Sequence, residues 1–110
     1  MKYIITENSL RRVQFKYLDY LFEGMHVIKM LSPDDNIFSG PNAIFWKKND
    51  SILLVLRIRE KNKLEVTYPI WEDISNMFSL DYYETQELME EWAEQRLGVG
   101  KVKAASVDFF

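Results

Sequence analysis

The chain has 110 residues, with 14 Lys and Arg against 17 Asp and Glu, a formal net charge of −3 and an apolar fraction of 47%; this suffices for one domain with one core. The absence of cysteine excludes disulfides, thiolate zinc sites and cysteine nucleophiles, and the lone histidine, His26, excludes metal motifs needing two imidazoles from one chain. The longest aliphatic run, Ile52–Leu56, is closed by Arg57, so no segment reaches bilayer-spanning length and a soluble, cytoplasmic protein without membrane contact is expected.

In chain order, Asn8 or Ser9 can cap a helix running to about Glu23 and stopped by Gly24. Leu10, Val13, Tyr17, Leu18 and Leu21 recur at helical spacing and predict its buried stripe, with Arg11, Arg12 and Lys16 on the other side. Residues 25–30 read as a strand, followed by a loop dense in turn formers that includes Asp34, Asp35 and Asn36. Ala43–Lys48 and Ser51–Arg59 read as strands joined by an Asn49-Asp50 hairpin turn. The second of them opens with five aliphatics, as a central strand covered on both faces would. Glu60-Lys61-Asn62 turns the chain into Lys63–Tyr68, whose Leu64, Val66 and Tyr68 share one face. Pro69 suits the first turn of a helix over Ile70–Phe78, which Ser79-Leu80 breaks. Asp81 with Glu84 forms a capping box for a last helix to about Leu97, with Leu88, Met89, Trp92, Ala93 and Leu97 inward and Gly98 and Gly100 ending it. The pattern predicts one α+β domain over residues 1–100, with an N-terminal helix, a three- to four-stranded antiparallel meander and a C-terminal helix-turn-helix-like pair; residues 101–110 read as a tail.

Little in this order carries chemistry. His26 has neither a Gly-x-Ser-x-Gly elbow nor a cysteine partner and reads as structural. Gly98-Val-Gly-Lys101 follows a helix and lacks phosphate-loop spacing, and Asp34, Asp35 and Asn36 lack the calcium-loop pattern. No enzyme, metal or cofactor is expected.

Charge is more informative. Residues 1–63 hold 11 basic and 7 acidic side chains, net +4, and residues 64–110 hold 3 and 10, net −7. A helix-turn-helix reading would put the last helix in a DNA groove, yet that helix displays Asp81, Glu84, Glu87, Glu90, Glu91 and Glu94 against Arg96, and such a face repels phosphates. Glu87, Glu90, Glu91 and Glu94 are like-charge neighbours at i,i+3 or i,i+4 with no lysine or arginine four residues away. Either a solvated acidic face tolerates them, or a basic neighbour offsets them: Arg11, Arg12 and Lys16 of the first helix, or a partner. At the C-terminus, Asp108, Phe109 and Phe110 put an aromatic pair behind a small-residue spacer, either folded back on the domain or anchored in another protein.

The opening Met1-Lys-Tyr-Ile-Ile-Thr-Glu7, with Ile74–Leu80 and Glu91-Trp92, resembles small uncharacterised proteins of marine T-even-like phages and marine viral metagenomes, which implies a phage origin and a host-cytoplasm location. Phe78-Ser-Leu-Asp-Tyr-Tyr-Glu84 resembles a stretch of the T-even late-transcription coactivator, and Val107-Asp-Phe-Phe110 is similar to the aromatic C-termini with which such phages' polymerase and coactivator engage the sliding clamp. The expected function is a small non-enzymatic accessory module working by protein–protein contact, with an unknown partner or a second copy. The candidate contact residues are Glu87, Glu90, Glu91, Glu94, Asp108, Phe109 and Phe110. The alternative is a nucleic-acid-associated regulator using Arg11, Arg12, Lys16, Lys47 and Lys48, and an enzyme ranks third.

Overall fold

The computed structural model describes residues 7–30, 43–57 and 61–108. The element order is α1 (Glu7–Leu21), β1 (His26–Met30), β2 (Ala43–Lys48), β3 (Ser51–Arg57), β4 (Lys63–Thr67), α2 (Tyr68–Phe78), α3 (Tyr82–Arg96) and β5 (Lys103–Val107). The strands form one sheet in the order β1-β2-β3-β4-β5. The first four are an antiparallel meander as expected, but β5 lies parallel to β4. The expected tail is thus largely the fifth strand of a mixed sheet. A parallel pairing needs a crossover, and α2 with α3 supplies it.

The turns follow local chemistry. Asn49 and Asp50 both take positive φ, as a hairpin turn that matches strand twist requires of its two central residues. Lys61 and Asn62 do the same before β4. Ser79 adopts the left-handed conformation at the end of α2, and Leu80 N–H donates to Ser75 O at 2.8 Å. Asp81 Oδ1 then accepts from Glu84 N at 2.8 Å while Glu84 Oε1 accepts from Asp81 N at 3.0 Å, completing the capping box. Helix α2 begins at Tyr68, two residues earlier than expected, because Pro69 in its first turn needs no N–H partner.

Leu54 and Leu56 of β3, Leu64 and Val66 of β4, Trp46 of β2 and Ala104 of β5 pack against the helices in one core with Phe15, Leu18, Trp71, Ile74, Leu88 and Trp92. Leu53 and Val55, of opposite parity, are buried as well, as expected of a central strand. The stripe of α1 departs from expectation. Gln14, Phe15, Leu18 and Phe22 are buried, whereas Leu10 and Val13 are 41% and 55% exposed. Both sets have helical spacing, so periodicity alone could not choose between them, and the bulkier phenylalanines take the core. The helix also starts before Asn8 and Ser9, which therefore lie inside it instead of capping it. The loop with Asp34, Asp35 and Asn36, the end of the expected third strand at residues 58–59, and Phe109 and Phe110 lie outside the described residues.

Candidate functional site

The acidic helix is mostly engaged within its own domain. Arg11 falls beside the buried stripe of α1, not opposite it, and its Nε lies 2.8 Å from Glu91 Oε2, with its Nη1 donating to Gln14 Oε1 at 3.1 Å. The Arg11–Glu91 contact is a charge pair without in-line hydrogen-bond geometry, since Oε2, though screened from solvent, has no aligned donor. Asp19 of α1 accepts from the Trp92 indole at 2.8 Å and from Arg96 Nε at 3.1 Å, and the Arg96 guanidinium sits 5.3 Å from the centre of the Phe15 ring. Tyr17 donates to Asp73 of α2, and that carboxylate, helped by partial burial and nearby charge, pushes the phenol pKa up to about 12. The basic neighbour anticipated for the α3 glutamates is thus Arg11. Arg12 and Lys16 are exposed on α1, while Lys47 and Lys48 lie on β2, in the other layer.

Glu90 has a different task. Its Oε2 accepts from Ala104 N at 3.0 Å, and Gln86 Nε2, one turn earlier, donates to Ala104 O at 2.8 Å. Both outward-facing backbone groups of Ala104 are therefore held by α3 side chains, which caps the outer edge of β5 at that residue. Capping an edge in this way blocks pairing with another chain at that point. Glu87 and Asp108 are exposed and Glu94 is half-buried; none of the three has a charged partner among the described residues.

The opposite edge, β1, has no further strand beside it among the described residues. Helix α2 packs on β4 and α3 on β5, so the helix layer stops short of β1. Among the described residues β1 has a neighbour on one side only, and Val27 and Ile28, on opposite faces of it, are 51% and 43% exposed. Beneath Val27 runs a groove between β1–β2 and the end of α3. One part, of about 340 Å³, is lined by Phe22, Met25, Val27, Trp46 and Leu97, with the Asp19–Arg96 pair at its rim. An adjoining part of about 440 Å³ continues over Ile44, Leu56 and Val99 to Asn62. The groove exists because α3 ends at Arg96 with Leu97 as its C-cap, and Gly98, with φ +63, turns the chain away before it can cover β2. Its titratable lining, Asp19 and Arg96, is already mutually paired, and the lining contains neither a nucleophile nor a free base. The arrangement can bind an apolar group beside a strand edge whose outer backbone groups have no strand partner among the described residues. His26 lies exposed at the start of β1.

Sequence reading placed β1 but missed its exposure and the groove, because both depend on where the helices stop over the sheet. No helix among the described residues is long and apolar enough to cross a membrane. Comparison with protein-family models, with curated proteins and with solved structures gave no match.

Proposed function

We propose that the protein is a non-enzymatic accessory module that binds another protein by adding one of its extended segments to β1. The carrying observation is the contrast between the two sheet edges: Gln86 and Glu90 cap β5 at Ala104, while β1 offers Val27 and Ile28 on an edge with no described neighbour. In strand addition, backbone bonds supply affinity and alternate side chains enter pockets for specificity. The groove beside Val27, Trp46 and Leu97 suits one such apolar side chain. The resemblance of the opening and of Ile74–Leu80 to small phage proteins supports placing this activity in an infected cell. The earlier candidates Glu90 and Glu91 move to structural roles in this reading, and Glu87, Glu94 and Asp108 lie outside the groove at β1.

Affinity capture from the native cell, comparing the wild-type chain with Val27→Asp and Val13→Asp, tests this. Val27→Asp should abolish capture of the partner at unchanged melting temperature, since it charges an exposed edge. Val13→Asp, on the exposed stripe of α1, should leave capture intact. The opposite pattern, or capture surviving Val27→Asp, would refute binding through β1.

A further inference from the structure

The structure divides charge by layer. The described strands and their turns carry Lys29, Lys47, Lys48, Arg57, Lys61, Lys63, Lys101 and Lys103 against Asp50, Glu65 and Asp108. The α2–α3 pair with its N-cap Asp81, by contrast, carries eight carboxylates and one arginine. Within the sheet layer the cations concentrate at one end. Register places Arg57 of β3 opposite Lys63 of β4, and Lys63 opposite Lys103 of β5, so three cations stand in a row across three adjacent strands. Neighbouring strands are about 4.8 Å apart, which makes this row roughly 10 Å long. By strand alternation it lies on the face away from Leu64 and Val66, hence away from the helices.

Two exposed lysines join the row. Asn62 O accepts from Lys103 N at 3.1 Å and Asn62 Nδ2 donates to Lys101 O at 3.5 Å, which ties the Lys61-Asn62 turn to the lead-in of β5. Lys61, Lys101 and Lys103 are therefore gathered at the same end. The only carboxylate on that face of the described strands is Glu65, 6% exposed, which pairs with Arg57 and lies 3.8 Å from Lys63. Glu65 thus fixes two of the cations and leaves Lys61, Lys101 and Lys103 without a charged partner among the described residues. Like charges directly opposite one another on adjacent strands destabilise a sheet. This row accepts that penalty in a chain whose net charge is negative.

We infer that the row Arg57–Lys63–Lys103, with Lys61 and Lys101, binds the phosphodiester backbone of a nucleic acid. A linear set of cations matches a string of phosphates better than it matches a single anion, and the acidic helices on the other face keep the strand on this one. This surface differs from the Arg11, Arg12, Lys16, Lys47 and Lys48 set expected from sequence, and it is independent of binding at β1.

Fluorescence anisotropy of a labelled oligo(dT), with a short duplex and a poly-glutamate peptide as competitors, tests the assignment. For about four phosphates on a single strand, affinity should fall roughly fifty-fold between about 50 and about 200 mM salt. The Lys101→Glu/Lys103→Glu variant alters two exposed, unpaired side chains; it should weaken binding and reduce that salt effect to roughly sevenfold or less. Lys47→Glu/Lys48→Glu should bind as wild type, and Lys63→Gln, which adds no charge beside Glu65, should weaken binding less than the double reversal. Absence of binding at low salt, or wild-type binding by Lys101→Glu/Lys103→Glu, would overturn the inference. Displacement by poly-glutamate as effective as by oligo(dT) would also overturn it and assign the surface to an acidic protein.

Discussion

Replacing Glu90 separates a structural glutamate from a merely repulsive one. In Glu90→Ala the N–H of Ala104, a fully buried residue, loses a charged acceptor at 3.0 Å. Such a bond is worth about 1.5–3 kcal/mol. The same change removes repulsion from Glu87 and Glu94, each about 0.2–0.5 kcal/mol. The net loss is then roughly 0.5–2.5 kcal/mol, and a central value of about 1.5 kcal/mol lowers the melting temperature by about 6–12 °C in a domain of this size. Glu90→Gln keeps a carbonyl acceptor and relieves the same repulsion, so it should be nearly neutral. Glu87→Gln removes only repulsion and should stabilise by several tenths of a kcal/mol, more at low salt. Urea denaturation at two salt concentrations gives the free energies, and hydrogen exchange at Ala104 reports the strand itself. If Glu90→Ala stabilises the protein as Glu87→Gln does, or leaves exchange at Ala104 unchanged, Glu90 does not hold β5 and the edge argument fails.

Three further outcomes are expected. Asp81→Ala should cost about 1 kcal/mol through loss of the Glu84 N–H bond to the Asp81 carboxylate, read as a drop of about 4–8 °C in melting temperature. Asp19→Ala leaves the buried Trp92 indole N–H without its acceptor and should cost about 1–3 kcal/mol, with a change in tryptophan emission accompanying the shift in unfolding midpoint. Because Tyr17 has its pKa raised from 10.0 to about 12 in the folded chain, its contribution to stability is complete below pH 10 and is lost as pH rises toward 12. Tyr17→Phe should remove that part of the alkaline loss, which denaturation at graded pH measures, while its stability at neutral pH falls by the missing Asp73 bond.

Features governed by neighbouring residues were legible in the sequence. The Asn49-Asp50 turn, the Asp81–Glu84 box, the break at Ser79 and the inward face of α3 all follow from spacing within one turn or two. The face of α1 was not legible, since Leu10 and Val13 compete with Phe15 and Phe22 at equivalent periods and only packing against Trp92 and Ile74 decides. β5 was missed because Lys-Ala-Ala-Ser-Val has no clear alternation and its partner strand is distant in sequence. The same distance concealed the cation row: Arg57, Lys63 and Lys103 become neighbours only when the crossover brings β5 to β4. For the acidic helix the unresolved charge was visible, but which glutamate meets Arg11 and which meets a backbone N–H was a matter of tertiary geometry.

The parallel placement of β5 also sets an order of assembly. Strands β2, β3 and β4 join by short turns and can zip from nearby contacts, whereas every β4–β5 pair closes a loop that contains both α2 and α3. Long-range pairings of this kind form late, because loop entropy opposes them until the intervening helices dock. Until then the outer backbone of β4 faces solvent between Leu64 and Val66, and the partly folded chain presents an apolar strand that another molecule can capture. Refolding is therefore expected to be limited by docking of the last strand and to lose yield as concentration rises. The side chains of Gln86 and Glu90 then act as the latch that ends this vulnerable interval.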